Sequence, residues 1–326
     1  MFLHKQKPTV HSNNPDTTTA KRSIEEKLQN KSIEEKNIII NGVKVNYLEA
    51  GSGKNYMLLI HGGLNSTAFS TWSLHNSMIE SFSKNFKVIA PDLPGYGASE
   101  NPSRCTQEYY LNFVKDFMDV MGIEKTNMIG ASMGGGIALG FSMKNPDRVH
   151  SLVLVGPYGL SKIDAPGPIR FMARFPKLSD KGIKFLHRHN KIVGAILSVL
   201  KDEEKEEYIK KGIKMVNKEG VQKAFYEFLA DEAKSRNRGF KTDYSESIST
   251  LNDTGIKLLI VTGEKDPFVS AEDVKNAASK VRGARVAIID GCTHAPHYQK
   301  PEEFKSIVWR FVMENEISEL LRFFEI

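Results

Sequence analysis

The chain of 326 residues is 40% hydrophobic and 26% charged, a balance that supports one large core and excludes a disordered or fibrous protein. A formal net charge of +6 does not point to nucleic acid, because the lysines are spread along the chain and alternate with glutamates, as on a solvated surface. Two cysteines, Cys105 and Cys292, cannot build a disulfide framework and lack zinc-site spacing, and no apolar run reaches the roughly 18 residues that span a bilayer.

Residues 1–36 are polar, and Ser23-Ile24-Glu25-Glu26-Lys27 recurs as Ser32-Ile33-Glu34-Glu35-Lys36. With too few apolar residues to form a core, this stretch reads as a flexible arm. Structure is predicted to begin at Asn37. There Ile38-Ile39-Ile40 and Val43-Lys44-Val45-Asn46-Tyr47 flank Asn41-Gly42, the dipeptide that best supplies the positive φ angles of a tight hairpin turn.

Short apolar runs follow at 56–60, 87–90, 126–129, 151–155, 257–262 and 285–289, alternating with helical patterns. Strands buried on both faces have this character, so an α/β protein with a mostly parallel sheet is expected. One helix is predicted over 106–121, with Tyr110, Phe113, Phe117 and Val120 as its packed stripe. Between Val155 and Lys257 about a hundred residues pass without a strand, far beyond an ordinary crossover. A helical insertion is expected at 161–255, between core segments 37–160 and 256–326. Its apolar faces are Ile169, Phe171, Met172 and Phe175, then Ile192, Ile196, Val199 and Leu200, then Phe225, Phe228 and Leu229. The tail from Ile317 to Phe324 reads as a packed C-terminal helix or a contact in a homodimer.

The chemistry centres on Gly130-Ala131-Ser132-Met133-Gly134, set between the apolar run ending at Ile129 and a helix-like stretch from Gly135 to Lys144. A serine on a sharp strand-to-helix turn needs neighbours without bulky side chains, and the helix N-terminus favours negative charge developing beside it. A hydroxyl is a weak nucleophile, so a base must take its proton. Gly291-Cys292-Thr293-His294, after the last strand, makes His294 that base; His297 is the competitor. Asp266, after the run ending at Thr262, is placed to orient the imidazole, with Glu264 as the nearest rival. Charge on a substrate oxygen calls for two backbone N–H donors. Met133 and Gly63 are assigned, the second from Leu58-Leu59-Ile60-His61-Gly62-Gly63, with Leu64 as a possible substitute.

Together, His61-Gly62-Gly63, Asp92-Leu93-Pro94-Gly95-Tyr96-Gly97-Ala98-Ser99, Gly130 to Gly134, Asp266 and His294 occur in an order that resembles the α/β-hydrolase superfamily. The resemblance covers roughly Asn37 to Asn315. It implies an α/β-hydrolase fold: an eight-stranded core, a cap (lid) after the sixth strand, and a structural role for Asp92. The Ser-Met-Gly-Gly elbow and Val155-Gly156-Pro157-Tyr158-Gly159-Leu160 are similar to those of capped esterases, monoacylglycerol-type lipases and carbon–carbon bond hydrolases. Serine at the elbow argues against the epoxide hydrolases and haloalkane dehalogenases, which carry aspartate there.

The expected activity is hydrolysis of a small or medium-chain carboxylic ester, in an apolar pocket, through an acyl-enzyme on Ser132. The alternatives are hydrolysis of a carbon–carbon bond of the meta-cleavage type, a lactonase, and a non-catalytic ligand-binding protein on the same scaffold. The chemistry requires neither metal nor organic cofactor. The expected partner is a small molecule, not nucleic acid, with no transmembrane segment and a cytoplasmic location.

Overall fold

The computed structural model describes residues 33–64, 66–73, 76–160, 221–233 and 240–323. Eight strands form one sheet: β1 (Ile33–Ile40), β2 (Val43–Ala50), β3 (Tyr56–Ile60), β4 (Lys87–Pro91), β5 (Thr126–Ala131), β6 (Val149–Val155), β7 (Lys257–Gly263) and β8 (Arg285–Ile289). Their spatial order is β1-β2-β4-β3-β5-β6-β7-β8. The β1–β2 and β2–β4 pairs are antiparallel and all others parallel. The eight-stranded, mostly parallel α/β-hydrolase sheet expected from the sequence is therefore present.

The apolar runs are continuous because both faces of the central strands are covered. Within β6, Leu152 and Leu154 join one core cluster while Val153 and Val155 join the other. The same alternation sends Leu258 and Ile260 of β7 one way and Leu259 and Val261 the other, as the two-residue period of a strand requires.

On the first face lie α3 (Gln107–Val120), α4 (Met133–Lys144) and the short α6 (Ala271–Ala278); on the second lie α1 (Ala68–Trp72), α2 (Met78–Phe82) and the C-terminal α8 (Pro301–Phe323). Phe304, Val308, Phe311 and Val312 recur at helical spacing on α8 and all enter the second cluster. Thr106 caps α3, accepting from the Tyr109 N–H at 3.1 Å.

Three sequence expectations are corrected. The sheet starts at Ile33, inside the stretch read as an arm, because β2 is long enough to pair down to Ile33 opposite Ala50. Lys36 then bridges Glu34 at 2.7 Å and Glu49 at 2.8 Å. A charged repeat is therefore an edge strand, a place where charge suits the sheet. Val120, assigned to the packed stripe, is 56% exposed. It falls at the rim of the stripe on the last turn of α3, and Leu111, Val114 and Met118 are buried instead. Finally, the 3₁₀ helix Ser247–Asp253, inside the segment expected as the insertion, sends Ile248 and Leu251 into the core cluster that holds Leu152 of β6 and Leu258 of β7.

The segment expected as a helical insertion follows β6 in the chain. Its apolar sets at 169–175 and 192–200 lie outside the described residues, and so does the first copy of the charged repeat. The third set is on α5 (Val221–Glu232), where Phe228 and Leu229 are buried and Phe225 is half-buried. The C-terminal tail continues α8 to Phe323. Among the described residues no helix is long and apolar enough to cross a membrane.

Candidate active site

Ser132 stands alone between the end of β5 at Ala131 and the start of α4 at Met133, with φ 51° and ψ −117°. A non-glycine residue with such angles stores on the order of 1–3 kcal/mol of strain. The sequence permits the turn because its neighbours are small. A Cβ on Gly130 would collide with the Gly134 carbonyl, and one on Gly134 would collide with the carbonyls of His61 and Ile60. The turn is pinned by the Ser132 N–H donating to Val155 O at 2.8 Å. The Ser132 carbonyl accepts from Gly136 N at 3.1 Å and Tyr158 N at 2.9 Å.

His294 comes from the loop between β8 and the one-turn α7 (Pro296–Gln299). Gly291, at φ 71°, turns that loop, and the Thr293 N–H, donating to Gln299 Oε1 at 2.7 Å, holds it. The imidazole Nε2 lies 2.9 Å from Ser132 Oγ, and Nδ1 lies 2.9 Å from Asp266 Oδ2 and 3.0 Å from Oδ1. With Nδ1–H donating to the carboxylate, Nε2 is free to accept the serine proton. The Asp266 side chain is fully buried. Its carboxylate is fixed by Phe268 N at 2.8 Å, Val269 N at 3.1 Å and the Thr262 hydroxyl at 3.3 Å. Phe268 sets its ring edge-on to His294, 4.8 Å between centroids.

The two rivals lie elsewhere. Glu264 accepts from Gly291 N at 2.8 Å and braces the loop without reaching the imidazole. His297 is buried among Trp72, Tyr298 and Phe304. Its burial, with the nearby His294 adding to the effect, pulls its pKa down to about 3.

Gly63 follows β3. A Cβ there would sit 2.7 Å from the Phe225 ring and 3.5 Å from Met133 Sδ, and one on neighbouring Gly62 would sit 3.4 Å from Ser132 Cβ. The structure thus brings Gly63 and Met133 together beside the serine, under a residue of α5. Leu64 has φ 53° and a 55% exposed side chain. His61 ties this loop to the next. Its Nε2 accepts from Leu93 N at 2.9 Å and its Nδ1 donates to Gly62 O at 2.7 Å. Burial lowers its pKa, so it is a neutral connector. Asp92 accepts from Asn46 Nδ2, Ala68 N and Ala98 N, which makes it the structural residue that the resemblance implied.

Sequence reading assigned no role to Gly156, whose φ is +49° and where a Cβ would sit 3.1 Å from both His294 and Asp266. The Gly156-Pro157 pair directly after an apolar run was the available signal. Phe225 was read only as one residue of an apolar helix face and Tyr158 only as part of the run from Val155 to Leu160 that carries the resemblance, and nothing in the sequence set Glu232 apart.

With fold and site in view, residues 55–301 match the model of the alpha/beta hydrolase fold family, and the chain belongs to that family. It is 23% identical over 279 residues to the 2-hydroxymuconate semialdehyde hydrolase of Pseudomonas sp. (strain CF600), covering 85% of this chain and 93% of the relative. It is 26% identical over 279 residues to the 2-hydroxy-6-oxo-6-phenylhexa-2,4-dienoate hydrolase of Comamonas testosteroni, covering 83% and 91%. The solved structure of the 2-hydroxy-6-oxo-6-phenylhexa-2,4-dienoate hydrolase from Rhodococcus sp. strain RHA1 superposes with a TM-score of 0.69 at 22% identity, covering 86% of this chain and 99% of that one. At that identity the superposition speaks to the fold.

Proposed function

We propose that the chain is a serine hydrolase that cleaves a carbon–carbon bond beside a ketone, in a substrate of the 2-hydroxy-6-oxo-dienoate class. The observation that carries the mechanism is the continuous contact from Ser132 Oγ through His294 to Asp266, 2.9 Å at each step. The substrate class rests on the names of the two relatives matched over more than four fifths of the chain.

In this reading Ser132 Oγ adds to the ketone carbon as His294 Nε2 takes its proton, and Asp266 stabilises the imidazolium. The Met133 and Gly63 N–H groups receive the oxyanion, a kind of contribution worth roughly 2.7–4 kcal/mol per donor in other hydrolases. Collapse breaks the carbon–carbon bond. For this the dienol must first ketonise, its 2-hydroxyl proton moving to C5. The electron pair of the broken C5–C6 bond then enters the 2-oxo-enoate as a dienolate, which takes the imidazolium proton and leaves. A water, deprotonated by His294, then releases the acyl group as a carboxylic acid. One water is consumed and no oxidant or metal is required.

A second reading, hydrolysis of a carboxylic ester, uses the same groups. Phe225 over Gly63 and Phe268 against His294 favour it, since both offer apolar surface to an acyl chain.

The deciding experiment is a side-by-side assay of the purified protein. The substrates are 2-hydroxy-6-oxo-6-phenylhexa-2,4-dienoate, followed by loss of its conjugated absorbance, and p-nitrophenyl esters of graded chain length. The proposal expects the higher kcat/KM on the dienoate. Turnover of esters alone would transfer the assignment to the ester reading, and turnover of neither would point to a ligand-binding protein.

A further inference from the structure

We infer that Glu232, at the end of α5, is a positioning residue that sets the oxyanion donor of Met133 through Tyr158. The inference rests on the serine-hydrolase reading above and adds to it a link from the cap to the elbow.

Glu232 is fully buried. Its Oε2 accepts from the Tyr158 hydroxyl at 2.5 Å and from Thr242 N at 2.9 Å, and its backbone carbonyl accepts from Lys241 N at 2.8 Å. One carboxyl group therefore clasps both stems of the insertion, the one leaving β6 and the one returning to the core. Tyr158 is locked between the rings of Phe228 at 5.7 Å and Phe240 at 5.2 Å. Burial, followed by the neighbouring Glu232 carboxyl, holds the phenol well above its ordinary pKa, so it stays a hydrogen-bond donor.

The other end of Tyr158 is what matters for catalysis. Its backbone N–H donates to Ser132 O. The Ser132 carbonyl and the Met133 N–H belong to one rigid peptide plane, so a donor that fixes the carbonyl also fixes the direction of the N–H on the opposite side. The carbonyl receives two donors, Tyr158 N and Gly136 N. Gly136 supplies only the ordinary first-turn bond of α4, whereas Tyr158 comes from the insertion stem. Displacing Tyr158 rotates the plane and turns the Met133 N–H away from the developing oxyanion.

A second observation separates this from ordinary packing. Among the described residues, Glu232 Oε1 is buried without a hydrogen-bond partner. Such a group carries a standing cost that apolar packing of α5 would not incur. A costly acid kept at the joint between cap and core fits a device that holds two segments in one geometry.

The test uses full-length Glu232→Ala, Glu232→Gln, Tyr158→Phe and the Glu232→Ala/Tyr158→Phe double variant. Tyr158→Phe keeps the ring and loses only the hydroxyl, so it reads the proposal even if Glu232→Ala does not fold. Each is assayed for the rate of Ser132 labelling by a small fluorophosphonate, for kcat and KM on the better substrate of the parent enzyme, and for hydrogen exchange of the Tyr158 amide.

Glu232→Ala and Tyr158→Phe are each expected to slow labelling and lower kcat by roughly 10- to 100-fold, the scale of a misplaced catalytic group. KM should stay within about twofold, the Tyr158 amide should exchange faster, and the double variant should lose little more than either single change. Glu232→Gln retains a carbonyl acceptor for Tyr158 and Thr242 and should recover most of the rate. Unchanged labelling and kcat, a loss carried by KM, or additive losses would overturn the inference. A parent enzyme that takes up no probe would instead overturn the serine-hydrolase reading, while the exchange of the Tyr158 amide would still report on the clasp.

Discussion

Ser132 and His294 meet at 2.9 Å, and in the proposed mechanism neither does its part without the other. Ser132→Ala and His294→Ala are each expected to lower kcat by about 10⁴- to 10⁶-fold, with the double variant falling little further. Steady-state assays of the three proteins decide this, since additive losses would describe two independent residues. Gly156→Ala is a sharper probe of geometry. It forces a methyl group to 3.1 Å from the Asp266 and His294 side chains at a backbone angle of +49°, and we expect roughly a 10²-fold loss in kcat with circular dichroism unchanged. Sequence alone singled out Ser132, His294 and Asp266, the three side chains that the fold brings into contact, because each lies where a strand gives way to a turn with small residues beside it. It could not find Gly156 or Tyr158, whose importance comes from what folds against them: an imidazole that arrives from β8, and a carboxyl group that arrives from α5.

At the scale of elements, the strands were legible because a two-sided parallel sheet writes itself as continuous apolar runs, and the bounds read for β8 agree with the structure. The edge was not legible. The Ile33–Lys36 segment looks like solvated chain until its partner β2 is known to extend to Ala50. The last turn of α3 was misread for a related reason, since periodicity marks a face but not where the neighbouring layer stops. The difference can be measured. Phe117→Ala is expected to cost about 3–5 kcal/mol, the range for a buried aromatic side chain, whereas Val120→Ala at 56% exposure should stay within roughly 0.5 kcal/mol. Denaturant unfolding of the two variants checks this, and a large loss for Val120→Ala would mean that α3 is packed on that side. α5 connects fold to function more directly, because Phe225 covers Gly63. Phe225→Ala should shift preference among acyl groups toward bulkier ones, read as relative kcat/KM across a graded ester series.

For the whole molecule, acid sensitivity follows from two histidines buried as neutral rings. The pKa of His297 falls from an unfolded value near 6.5 to about 3, through burial first and His294 second, and His61 is lowered by burial as well. A depressed histidine binds its proton more readily in the unfolded chain. Its contribution is therefore intact above about pH 6.5 and is lost progressively as pH falls toward the folded value. For His297 the loss by pH 5 is on the order of 2 kcal/mol. Unfolding midpoints at pH 7 and pH 5 should therefore converge in His297→Phe relative to the parent protein. Equal pH dependence in both would show that the folded ring takes up its proton as readily as the unfolded one.

The central claim, that Ser132 is an activated nucleophile, is tested most directly by intact-protein and peptide mass spectrometry after treatment with a fluorophosphonate. The account predicts one adduct, located on Ser132, absent in Ser132→Ala and formed far more slowly in His294→Ala. No adduct on the folded protein, or an adduct on another residue, would contradict it.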